Sequence, residues 1–166
     1  SSWHFDDAEA ALSTITSDLE HMHGADAIAS AYVSAGRLSD AIPLFEQILT
    51  DRIRIQGNDH PDTMTSRDNL AGAYQDVGCL SEAIALYEQT LADSTRILGE
   101  DHPDTLASRN NLAGAYESVG RLKEAITLFE QVLADSTRIL GKDHPHTLAS
   151  HNNLAYAYKK AGRLSE

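Results

Sequence analysis

Gly99-Glu100-Asp101-His102-Pro103 opens a stretch that runs through Asn110-Asn111-Leu112-Ala113 and Tyr116 to Gly120, and its reading decides the fold. Proline is favoured in the first turn of a helix, where its missing N–H costs nothing, and the aspartate beside it suits the cap and the helix dipole. Leu112, Tyr116 and Val119 then lie at i, i+4 and i+7, with Leu106 and Ala113 next to them, which marks the buried face of a first helix. Gly120 is placed to end it in a left-handed conformation. A second series follows at once, in which Leu122, Ala125, Ile126, Phe129, Val132, Leu133, Ile139 and Leu140 trace the inner face of a longer helix that Gly141 closes.

The same text stands 42 residues to either side, at Asp59-His60-Pro61 and Asp143-His144-Pro145. Tyr32, Tyr74, Tyr116 and Tyr158 keep that interval, and so do Gly36, Gly78, Gly120 and Gly162. Residues 79–120 and 121–162 are identical at 30 of 42 positions, so the last full units read as recent copies. A fixed period of this size signals a solenoid, in which each unit buries its apolar face against its neighbours. Ala71, Ala113 and Ala155 on first helices, and Ala41, Ala83 and Ala125 on second helices, leave room for close backbone approach, with Phe45, Tyr87 and Phe129 as larger knobs. Nothing alternates as a strand would, so the expectation is an all-α stack of antiparallel helix pairs, about eight helices in all.

The order Leu112-Ala113, Tyr116, Gly120, Ala125 and Phe129 resembles the tetratricopeptide repeat, and the resemblance covers residues 25 to 166. The 42-residue period, with Gly99-Glu100-Asp101-His102-Pro103 and Asn110-Asn111-Leu112-Ala113, is similar to the kinesin light chain type, which also carries proline where Pro43 stands. The near-identity of the units is similar to arrays attached to bacterial signalling NTPases of the NB-ARC or STAND kind. The resemblance implies a right-handed superhelical solenoid. It also implies that one side of the first helices lines a concave groove.

One array over residues 1–166 is expected, with a partial leading unit (1–24), repeats at 25–58, 59–102 and 103–144, and a last repeat (145–166) that stops after its first helix. Phe5, Ala8, Leu12 and Ile15 read as a second helix without its first. Both ends are expected to be cut edges, whose uncapped apolar seams invite end-to-end self-association.

Lys plus Arg number 13 against 25 for Asp plus Glu, a formal net charge of −12. Nucleic acid is not an expected partner, since phosphate binding needs a basic face, and an anionic membrane surface is disfavoured for the same reason. No apolar run approaches the roughly 18 to 20 residues of a membrane span, and the beginning lacks a basic region followed by an apolar stretch. A soluble, cytoplasmic protein is expected. Cys79 is the single cysteine, which excludes an internal disulfide framework or thiolate metal cluster.

His60, His102, His144 and His146 accompany carboxylates, but equivalent positions of successive units stand on the order of 10 Å apart. A zinc ion needs its ligands at about 2 Å from one centre. The triplets are therefore read as turns and helix starts. His21 and His23, two residues apart, point to different sides of a helix. No phosphate-binding loop, nucleophile elbow or catalytic carboxylate pair occurs, so neither an enzyme nor a cofactor is expected.

Asn69, Asn111 and Asn153 each precede a Leu-Ala pair, five residues before the unit's tyrosine. Asparagine is a poor helix former, so three in register call for a reason. A carboxamide both donates and accepts, and can pair with the backbone of an extended peptide. With first helices on the order of 10 Å apart and a ligand advancing ~3.3 Å per residue, one asparagine meets about every third ligand residue. The alternative is a hydrogen bond between neighbouring units, and the sequence leaves both open.

By the resemblance, the groove also takes in Asp68, Asn110, Asn152, Gly72, Gly114, Tyr156, Gln75, Asp76, Glu117 and Lys159, with Asp26, Ser30, Val33, Ser118 and Lys160 around them. The two-lysine carboxylate clamp of some family members has no match, because Asp26, Asp68 and Asn110 stand there. Gly72 and Gly114 leave room for a ligand backbone. The expected function is a non-catalytic module that binds a protein or extended peptide, basic or neutral rather than acidic, as the sensor or scaffold of a larger signalling protein. The rival reading is a self-associating or spacer array with an empty groove.

Overall fold

The computed structural model describes residues 3–162, the side chains of residues 3–6 and 8 excepted. The described residues form seven α-helices and no strand: α1 (Trp3–Ser34), α2 (Leu38–Gln56), α3 (Pro61–Asp76), α4 (Leu80–Leu98), α5 (Pro103–Ser118), α6 (Leu122–Leu140) and α7 (Pro145–Lys160). They fall into two compact units, one up to Ala73 and one from Tyr74.

Seven helices stand where about eight were expected, because residues 3–34 form one continuous helix. No proline interrupts them and Gly24 does not take a positive φ, so nothing breaks the hydrogen-bond ladder. Among the described side chains of α1 the first buried one is Met22, and Leu12 and Ile15, read as an inner face, are exposed. The readings of Phe5, Ala8 and the chain beyond Gly162 lie outside the described residues.

In the second unit α5 packs against α4 and α6, and α6 against α7. Ala113 and Ala125 are fully buried where helices meet, with Leu106, Leu112, Phe129 and Val132 filling the core around them. The guanidinium of Arg109, on α5, lies in that core and donates to Asp135 Oδ2 of α6 at 2.7 Å.

Helix ends follow local chemistry. Gly120 has φ +80°, and beyond it the Arg121 N–H donates to Tyr116 C=O at 2.9 Å, closing α5 with a Schellman-type turn. The Arg121 guanidinium then lies 4.1 Å from the centre of the Tyr116 ring, whose hydroxyl donates to Glu88 of α4 at 2.7 Å. Burial and that carboxylate push the Tyr116 phenol up to about 12.

The helix starts correct one expectation. The cap is the histidine of each triplet, not the aspartate: His102 Nδ1 accepts from the Asp104 N–H at 3.1 Å, and His144 Nδ1 from the His146 N–H at 3.2 Å. An accepting Nδ1 needs a neutral ring with its proton on Nε2. Asp101 instead receives Arg138 of α6, at 2.6 Å on Oδ1 and 3.2 Å on Oδ2, and this pair holds its carboxyl below the usual carboxylate range.

Candidate peptide-binding groove

Within the second unit, α5, the end of α6 and the start of α7 surround a cavity of about 460 Å³. Its apolar lining includes Leu106 and Ala107 of α5, Val132, Ile139 and Leu140 of α6, and Ala149 of α7. Asn110, Asn111 and Asn153 bring three carboxamides to the same cavity. His144 and His146 line it as well, their rings stacked with centroids 5.4 Å apart. Because the cap engages His144 Nδ1, that ring keeps an Nε2–H as a donor.

Asn153 Nδ2 donates to Asn110 Oδ1 at 3.0 Å, linking α7 to α5. The hydrogen bond between repeats that the sequence left open is thus formed, one position out of register, to Asn110 rather than to Asn111. Two further residue pairs join neighbouring first helices at the same 43-residue separation. Gln75 Nε2, in the last turn of α3 within the second unit, donates to Ser118 Oγ at 3.2 Å. Lys160 Nζ donates to the Glu117 C=O at 3.2 Å and to its Oε1 at 3.3 Å. The Asn153 and Lys160 bonds tie α7 to α5 beside the cavity, and the Gln75 bond ties the end of α3 to α5.

The other expected positions do not line this cavity. Gly114 is half-buried, and a Cβ there would meet nothing within 4 Å. Asp76, Asn152 and Lys159 are exposed, and Tyr156 stands 58% exposed on α7. Asp68, Asn69 and Gly72 belong to the first unit, with Asn69 exposed and the other two half-buried. Asp26 turns towards α2, where its carboxylate accepts from the buried Arg52. Burial raises its carboxyl above the ordinary value, against the opposing pull of Arg52.

Sequence reasoning missed the apolar floor and the two histidines. Ile139 and Leu140 look like the last turn of a core face, and only the bend into α7 opens them onto the groove. His144 and His146 were absorbed into the reading of a helix start. Among the described residues no three His, Cys, Asp or Glu side chains converge as a metal site would need, and no helix is long and apolar enough to cross a membrane.

The tetratricopeptide repeat family matches residues 20–92, 65–136 and 107–166. The chain belongs to this family. A candidate kinesin light chain of Podosopora anserina with nearly identical TPR-like repeats is 36% identical to it, over 86% of this chain and 68% of that one, with a TM-score of 0.79. BtubC (BKLC) of P. vanneervenii has a TM-score of 0.75 at 24% identity, over 83% of this repeat chain and 55% of BtubC, and shares the fold. No curated protein matches.

Proposed function

We propose that this repeat chain is a non-catalytic, cytoplasmic binding module that holds an extended peptide or protein segment along its first helices, as the sensor or scaffold of a larger signalling protein. The observation that carries the reading is the cavity where Asn110, Asn111 and Asn153 stand over an apolar floor. A carboxamide offers N–H and C=O to a ligand backbone whatever its side chains, while the floor takes one apolar ligand side chain. The open space over Gly114 lets a backbone approach, and Tyr156 and Lys159 flank the path on α7. At the same register in the first unit, Asp68, Asn69 and Gly72 are proposed to take the same part. Asp68, Asp76 and Glu117, with the net charge of −12, favour a basic or neutral segment over an acidic one.

Display selection of random twelve-residue peptides tests this, run in parallel on the parent and on a folded variant with Asn110, Asn111 and Asn153 all changed to alanine. Sequences enriched on the parent alone support the groove. Equal enrichment on both, or none on either, favours the spacer reading.

A further inference from the structure

The repeats of this chain serve as templates for one another, and one comparison exposes an unfilled place. Arg109 of α5, 7% exposed, fills the space between α5 and α6 and donates to Asp135 Oδ2 at 2.7 Å. The other oxygen, Asp135 Oδ1, receives Arg138 at 3.3 Å. Eighty-four residues earlier, the places of Arg109, Asp135 and Arg138 are held by Ala25, Asp51 and Arg54. The aspartate and the outer arginine remain. The inner arginine does not.

The structure shows what that loss leaves. Between α1 and α2 lies a cavity of about 310 Å³, lined among others by Ala25, Met22, Asp18, Ile48 and Asp51. Asp51 Oδ1 is occupied as in the later repeat, by Gln47 Nε2 at 3.2 Å and by Arg54 at 3.6 Å. Among the described residues nothing bonds to Oδ2, the oxygen that holds Arg109 in the later repeat. Arg52, the buried arginine of α2, is committed to Asp26 and to the Asp62 C=O, so it does not replace the missing group. Charge agrees: Asp135 is matched by both Arg109 and Arg138, whereas Asp51 has Arg54 alone, and Asp18 adds a second carboxylate to a lining that also holds Arg54 and His21.

We propose that this cavity receives one arginine side chain from a partner protein segment, its guanidinium pairing with Asp51 as Arg109 pairs with Asp135. The apolar walls of Met22 and Ile48 take the aliphatic stem, and the planar fork meets the free carboxylate oxygen. The site belongs to the first unit, the asparagine-lined cavity to the second, and the proposal does not depend on the reading of that cavity.

The test titrates the whole chain with acetyl-Ala-Arg-Ala-amide and with its citrulline counterpart, which keeps the shape and loses the charge, following the Ala25 and Asp51 amide signals by NMR. The expected result is a saturable shift with the arginine peptide, at least about tenfold weaker with citrulline or with Asp51→Asn. Ala25→Arg supplies the missing group from within, and is expected to raise the thermal midpoint and abolish the peptide shift. Equal shifts from both peptides, no saturable shift, or an Ala25→Arg chain that binds the peptide as the parent does would each overturn the proposal.

Discussion

Asn153 on α7 and Asn110 on α5 face each other at 3.0 Å, donor to acceptor, across neighbouring repeats. Their bond consumes one N–H and one acceptor position, and leaves each carboxamide with further hydrogen-bonding capacity at the cavity they line. The same pair thus sets the spacing of two helices and lines the groove between them. Asn110→Ala leaves the half-buried Asn153 amide without its acceptor, and is expected to cost about 1 kcal/mol in urea unfolding. An unchanged midpoint would show that the bond contributes nothing in solution.

Tyr116 supplies a pH prediction at the alkaline end. Its phenol is pushed up to about 12 by burial and by Glu88, while an unfolded tyrosine ionises near 10. The folded state therefore keeps a proton that the unfolded state has lost. The resulting stability is complete below pH 10 and drains away as pH rises towards 12. Absorbance titration near the phenolate band should resolve one tyrosine ionising late, and Glu88→Gln should bring it back towards the others.

At the acid end the sign reverses for Asp101. Arg138 holds its carboxyl below the ordinary 3.8, so the pair's contribution is present above that value and is lost as pH falls through the lowered one. Both partners are exposed, so the effect is small and screened by salt. The expected signature is an acid-side loss of stability below pH 4, reduced in Asp101→Asn, with the α5 start and α6 end the first amides to exchange.

Gly120 tests the turn chemistry. Its φ of +80° lies in the left-handed region, and a Cβ there would meet nothing within 4 Å. Gly120→Ala should therefore cost the conformational penalty alone, about 1 to 2 kcal/mol, with no repacking visible in the core. A neutral substitution would mean that α5 can end without that conformation.

Much of this architecture is written locally. The spacing of Leu112 and Tyr116 before Gly120 gives α5 its buried face and its end, while Val119, read with them, is exposed at the cap; the 42-residue repetition carries the reading to the other helices. Of Asn69, Asn111 and Asn153, read together by their register, the last two line one cavity with Asn110. What stayed hidden depends on contacts between turns of different helices. The bond from Asn153 to Asn110 needs the slant of one helix against another, which periodicity does not report. Neither does periodicity tell whether the histidine or the aspartate of a triplet takes the cap, nor that Asp101 meets Arg138, 37 residues away. The run of α1 through Gly24 depends on the absence of any left-handed turn there, where elsewhere a glycine marks a helix end.

The most direct measurement is the response of the side-chain amide signals of Asn110, Asn111 and Asn153 to a peptide selected by display, recorded by NMR on the intact chain. The three amides are expected to shift together and saturate at one peptide concentration. A peptide that binds while these amides stay unmoved would place recognition elsewhere and contradict it.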